Sequence, residues 1–119
     1  LVRSSRGRWI LPKGWPIEGL GGAETALQEA WEEGGVSDGK PAKRALGHFQ
    51  TVKRDDHGAE MRCETHVYPI EVRETQPDFP ESDQRDPTWV SINTAIGMVE
   101  ERGLKDILAE FAEAKAGKS

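Results

Sequence analysis

At 119 residues the chain is long enough for one domain that buries roughly two thirds of its unfolded surface. Sixteen basic residues against twenty-one acidic ones leave a net charge of −5. That balance argues against a general nucleic-acid binder, whose affinity rests on a basic footprint, but leaves open a phosphorylated small molecule, because a bound cation reverses the local field. One cysteine, Cys63, permits no internal disulfide, and the expectation is a cytoplasmic protein. No apolar run approaches a membrane span and no signal peptide is visible, so no membrane partner is expected.

In chain order, Leu1 to Ser4 reads as the end of a strand, Ser5-Arg6-Gly7 as a hairpin turn, and Arg8 to Leu11 as the returning strand. Arg3, Arg6, Arg8 and Lys13 make this the most basic part of the chain. They are candidate phosphate contacts, with ordinary surface charge as the alternative. Gly14, Pro16, Gly19, Gly21 and Gly22 then hold the chain out of regular structure. From Ala23 the pattern turns helical. Ala23, Ala26, Leu27, Ala30 and Trp31 are spaced for a buried stripe, and Gly34-Gly35 supplies a left-handed stop.

Glu29, Glu32 and Glu33 stand at i, i+3 and i+4, one above another on the other side of that helix. No Lys or Arg inside the helix offsets their repulsion, and their place near its C-terminus is unfavourable for the macrodipole. A divalent cation resolves both problems. Mg²⁺ takes one or two carboxylates plus waters and substrate phosphates, which leaves a third carboxylate to act as base. The alternative is a solvated acidic face.

Ser37 to Lys43 reads as a polar loop. Ala45 to Arg54 and Glu60 to Val72 alternate as two strands of a long hairpin around the turn cluster Asp55-Asp56-His57-Gly58. Lys53, Arg54 and Arg62 fall near its tip, as solvated surface charges or, in the alternative, as phosphate contacts. His48, His57 and His66 lack compact ligand spacing, so no zinc site is expected. Arg73 to Pro87 reads as a long acidic loop and Thr88 to Ser91 as a short closing strand with Trp89 inward. Ser91 caps a helix from Ile92 to about Glu101, Arg102-Gly103 breaks it, and Leu104, Ile107, Leu108 and Phe111 form the apolar stripe of a final helix to Ala116.

Gly14, followed by Gln28-Glu29-Ala30-Trp31-Glu32-Glu33-Gly34-Gly35-Val36, resembles the Nudix box, G-x5-E-x7-R-E-U-x-E-E-x-G-U with U aliphatic. The spacing is kept throughout. Two positions depart: Leu20 stands at the first Glu and Gln28 at the Arg. Within the family the chain most resembles the diphosphoinositol-polyphosphate phosphohydrolase-like branch. The matching residues are Arg8 to Gly14, Thr65-His66-Val67-Tyr68, and the run from Asp78-Phe79-Pro80-Glu81 through Trp89-Val90-Ser91.

The resemblance implies an α+β fold, a Nudix-type α/β/α sandwich with a mixed β-sheet, here a single domain over residues 1–119 lacking its N-terminal strand. It implies metal-dependent hydrolysis of a phosphoanhydride. Glu32 and Glu33 hold Mg²⁺ or Mn²⁺, Glu29 serves as base and further ligand, and Gln28 orients Glu29. The backbone carbonyl of Lys13 and, from the late loop, Glu81 are additional metal ligands. Lys13, Arg8, Arg6, Arg3, Gly14 and Arg54 form the substrate-binding set.

The expected partner is a small-molecule phosphoanhydride, such as a dinucleoside polyphosphate or diphosphoinositol polyphosphate, with ADP-ribose or a nucleoside triphosphate as alternatives. The expected state is a monomer or homodimer. Two other readings stand beside the hydrolase. One is a Nudix-fold module that binds nucleotides or inositol phosphates with weakened catalysis. The other is an acidic helix of purely structural role.

Overall fold

The computed structural model describes residues 1–3, 7–13, 19–54 and 57–116, apart from the side chains of Lys53, Arg54 and Ala116. The helical periodicity after Ala23 becomes helix α1, Gly22–Gly34. It starts without a side-chain cap, its first turn closed by the Thr25 N–H donating to the Gly21 carbonyl at 2.9 Å. It ends at Gly35, which has φ 76° and donates its N–H to the Ala30 and Trp31 carbonyls. Only glycine suits that position. A β-carbon there would sit 2.6 Å from the Gln76 carbonyl oxygen and 2.8 Å from the Phe79 ring, besides the cost of the left-handed backbone.

The chain then goes straight into a strand. Before α1 lie β1, Val2–Arg3, and β2, Trp9–Ile10; after it come β3, Val36–Pro41, β4, Gly47–Arg54, β5, Glu60–Val67, and β6, Ile70–Thr75. Among the described residues the ladders are β1 with β2, β3 with β6 and β4 with β5, all antiparallel and two-stranded. The three helices that follow are α2, Ser82–Arg85, α3, Ile92–Met98, and α4, Arg102–Ala116. Helix α1 packs on β3, while α3 and α4 pack on each other and α4 on β4. The α+β class is as expected and is consistent with a Nudix-type α/β/α arrangement. No parallel pairing occurs among the described ladders, so in place of the expected mixed sheet the described residues form three antiparallel pairs.

The main core lies between the β4–β5 hairpin and the last two helices. Phe49, Val67, Ala95, Val99, Leu104, Ile107 and Leu108 are buried there, each large apolar side chain worth about 1.5–3 kcal/mol of transfer free energy. Ser91 caps α3, accepting the Thr94 N–H at 3.2 Å. Lys105 Nζ donates to the Ile96 carbonyl at 2.6 Å, tying α4 to the end of α3.

Several expected boundaries are corrected. Ser37 to Lys43 is largely strand, because β6 supplies a pairing edge to a segment of turn-like composition, across a register shift between Val36 and Gly39. The expected strand Glu60 to Val72 breaks at Tyr68-Pro69. There the chain leaves β4 and pairs with β3, proline having no N–H to continue a ladder. The expected loop Arg73 to Pro87 begins inside β6 and contains α2. No strand forms at Thr88 to Ser91. Thr88 exchanges backbone hydrogen bonds with Leu1 at 2.8 and 2.9 Å, Val90 packs toward the core, and Trp89 is 67% exposed instead of inward. The break between the last helices sits at buried Val99, and Arg102 and Gly103 open α4.

Candidate active site

Helix α1 carries three carboxylates into different surroundings. Glu33 is 2% exposed, the most buried ionisable side chain described. The alternative of a solvated acidic face therefore does not hold for Glu33, because the segment before the Gly-rich loop and the segment around α2 both cover the end of α1. The Lys13 N–H donates to Glu33 Oε2 at 3.1 Å, and Arg85 Nη2 lies 3.2 Å from Glu33 Oε1. That second contact is electrostatic, since Oε1 is fully buried and makes no aligned hydrogen bond. The Glu29 carboxyl lies beside that of Glu33, close enough for a hydrogen bond when one of the two is protonated. Burial, that hydrogen bond, and the charges of Glu29 and Glu81 push the Glu33 carboxyl from 4.5 up to about 8, against the opposing pull of Arg85.

A short segment after β6 completes the cluster. The Glu81 N–H donates to the Glu32 carbonyl at 2.9 Å, fastening α2 to α1. Arg85 Nε donates to Glu81 Oε1 at 2.9 Å, and Arg85 Nη1 to the Arg3 carbonyl at 3.3 Å. One guanidinium thus joins two carboxylates and the first strand. The sequence reading missed Arg85. The available signals were that Arg85 is the one basic residue between Gln76 and Pro87 and lies four residues after Glu81, the helical pairing distance.

Beside Glu29 opens a cleft of about 600 Å³ between α1 and β5. Leu11, Leu20, Ala26, Phe49, Val67 and Tyr68 contribute its apolar walls. Tyr68 packs against Gly22, at the first turn of α1. A β-carbon there would overlap the Tyr68 ring, 2.8 Å from Cζ. Among the described lining residues the cations are Lys13 and Arg62, and the carboxylates are Glu29, Glu64 and Glu101.

The other expected residues divide. Gln28 is exposed and its amide donates to Glu32 Oε1 at 2.9 Å, so the expected orientation of Glu29 by Gln28 is corrected to a contact with Glu32. Lys13 meets the cluster through its N–H and lines the cleft. Arg3 lies over the Trp9 ring at 4.2 Å and faces Asp86 at 3.8 Å, while Arg8 pairs with Glu100 at 3.1 Å. Neither arginine lines the cleft. Arg6, Gly14 and the Arg54 side chain lie outside the described residues. Phe79 packs on Gly35. His48 and His66 stack across the β4–β5 ladder with centroids 5.4 Å apart, each 3.2 Å from Glu64 Oε1.

Among the described residues no three His, Cys, Asp or Glu side chains are arranged to enclose an ion on their own. The donor chemistry nonetheless fits Mg²⁺, which needs only one or two carboxylates and takes the rest from water and phosphate. Glu33 offers a buried oxygen with no aligned hydrogen bond, next to a second carboxylate. Among the described residues no helix is long and apolar enough to cross a membrane.

A curated relative, Nudix hydrolase 21, chloroplastic, of Arabidopsis thaliana, is 33% identical over 108 residues. The alignment covers 89% of this chain and 51% of the relative, so the chain spans about half the relative's length. The match supports membership of the Nudix family. No family model matches the chain, and no solved structure matches significantly. Set against the Nudix box, the geometry separates its two departures. Leu20, at the first Glu position, is part of the cleft wall, whereas Gln28, at the Arg position, stays within α1 on Glu32.

Proposed function

We propose that the chain is a metal-dependent hydrolase of phosphoanhydrides, with its reacting centre at Glu29 and Glu33 on the rim of the α1–β5 cleft. The observation that carries this reading is the buried Glu33 carboxyl, one oxygen lacking an aligned hydrogen bond, beside a second carboxyl that lines the cleft. Glu32 and Glu33 would hold Mg²⁺ or Mn²⁺, with Glu29, the Lys13 carbonyl and Glu81 as further donors. The cation, when bound, neutralises the diphosphate and lowers the pKa of water.

The chain's own residues then divide the work. Glu33 gives up the proton that burial keeps on it near neutral pH, since a carboxyl must be ionised to ligate. Glu29 accepts the proton of water as it attacks phosphorus in line, the position a general base needs. Lys13, at the junction of cluster and cleft, takes a phosphate oxygen.

The cleft also bears on what the diphosphate is attached to. Apolar walls, two cations and three carboxylates among the described lining residues suit a largely uncharged group, such as a nucleoside. A polyphosphorylated inositol would bring many negative charges to a lining with more acid than base. We therefore favour dinucleoside polyphosphates, ADP-ribose or nucleoside triphosphates over diphosphoinositol polyphosphates. A second reading, a binding module of weakened catalysis, is favoured by Leu20 and Gln28 at the two departed box positions.

The test is turnover of a panel holding all four classes, in Mg²⁺ and in EDTA, by wild type and Glu29→Gln. Metal-dependent turnover of nucleoside-bearing members, lost in Glu29→Gln, is the expected result. Turnover confined to the diphosphoinositol member would overturn the choice of substrate group. No turnover with metal binding intact would favour the binding module, and the absence of both would sink the hydrolase reading.

A further inference from the structure

Arg85 lies outside the Nudix box, yet it is the cation that the described structure places against the buried box carboxylate. Its side chain is 23% exposed and it uses all three guanidinium nitrogens: Nη2 faces Glu33 Oε1 at 3.2 Å, Nε donates to Glu81 Oε1 at 2.9 Å, and Nη1 donates to the Arg3 carbonyl at 3.3 Å. Inside α1 nothing performs this task, because the Gln28 amide is spent on Glu32. Helix α2 has four residues and no side-chain cap, so it has little stability of its own. The Glu81 N–H to Glu32 carbonyl bond and this guanidinium tie it to α1.

We infer that Arg85 is a positioning residue that holds Glu81, the residue before α2, beside the buried Glu33 of α1 before a cation arrives. This rests on the metal-dependent reading above and extends it to a residue that the box does not contain. The planar fork matters as well as the charge, because a single ammonium has no rigid pair of donors with which to bridge two carboxylates and a carbonyl. Two effects of removing Arg85 oppose each other. Loss of a positive charge favours an incoming cation, whereas release of Glu81 and unscreened repulsion among the carboxylates disfavour it. The proposal requires the second to win.

The experiment is Mn²⁺ binding followed by electron paramagnetic resonance, with the metal as the sole ligand. It compares wild type, Arg85→Met, Arg85→Lys, Glu81→Gln and the double variant Arg85→Met/Glu81→Gln, each checked for folding by circular dichroism. Arg85→Met and Glu81→Gln should each weaken Mn²⁺ roughly tenfold, the low end for residues that orient metal ligands. The double variant should lose no more than the larger single loss, since one residue acts through the other. Arg85→Lys should follow Arg85→Met. Unchanged or tighter binding in Arg85→Met, multiplicative losses in the double variant, or wild-type affinity in Arg85→Lys would each overturn the inference. If Arg85→Met fails to fold, wild-type affinity in Glu81→Gln overturns it equally. A wild type that binds no Mn²⁺ removes the hydrolase reading and this inference together, whereas normal wild-type binding that ignores Arg85 removes this inference alone.

Discussion

Replacing Glu33 by Gln should change how stability depends on pH, in a direction set by the buried carboxyl. In the folded chain without metal, Glu33 titrates at about 8 instead of 4.5. Below the unfolded value both states carry the proton and burial costs no charge. Between the two values the folded state holds a proton that the unfolded state has released, so stability falls as pH rises. One extra bound proton corresponds to a slope of about 1.4 kcal/mol per pH unit, or about 3 kcal/mol lost between pH 5 and pH 7.

Gln keeps the volume, and its carbonyl can still accept the Lys13 N–H, but it does not ionise. Measured by urea unfolding in EDTA from pH 5 to 8, Glu33→Gln should gain on wild type by up to about that slope, over a constant offset from its altered contact with Arg85. Added Mg²⁺ should stabilise wild type by mass action and leave the variant unmoved. Parallel pH profiles for the two proteins would refute the reasoning, because they would mean that Glu33 is ionised in the folded state at neutral pH.

Three further outcomes are expected. Glu29→Gln, assayed in saturating Mg²⁺, should lower kcat by about 10²–10⁴, the range for a lost general base, while its thermal midpoint moves little. Leu104→Ala removes a 2% exposed side chain from the core between β4 and α4 and should cost about 2–5 kcal/mol in denaturant unfolding. Gly35→Ala combines a left-handed backbone with a β-carbon 2.6 Å from the Gln76 carbonyl. It should destabilise by more than about 1 kcal/mol, and a neutral result would mean that the turn from α1 into β3 is not as close as described.

Local physics made part of this fold readable from the residues alone. Helix α1 was legible because its apolar spacing and its terminal glycine are local signals, and the β4–β5 hairpin because alternation placed Phe49 and Thr51 on one face and His48 and Gln50 on the other. The Ser91 cap and the Leu104-Ile107-Leu108 stripe were legible for the same reason. The spacing of Glu29, Glu32 and Glu33 is likewise local, a property of the residue order alone.

Tertiary structure decided the rest. Val36 to Pro41 looks like a loop, and became a strand because β6 offered an edge thirty-odd residues away. His48 and His66 are eighteen positions apart and met only through the register of two strands. Glu33 and Glu32 are neighbours with the same side chain, yet one is buried and the other half-exposed, because distant segments cover only one of them. The guanidinium at that carboxylate came from Arg85, fifty-two residues downstream. Charge spacing along a helix is a property of the helix, but desolvation and counter-charge belong to whatever packs against it, and those two effects set the chemistry of the Glu33 carboxyl.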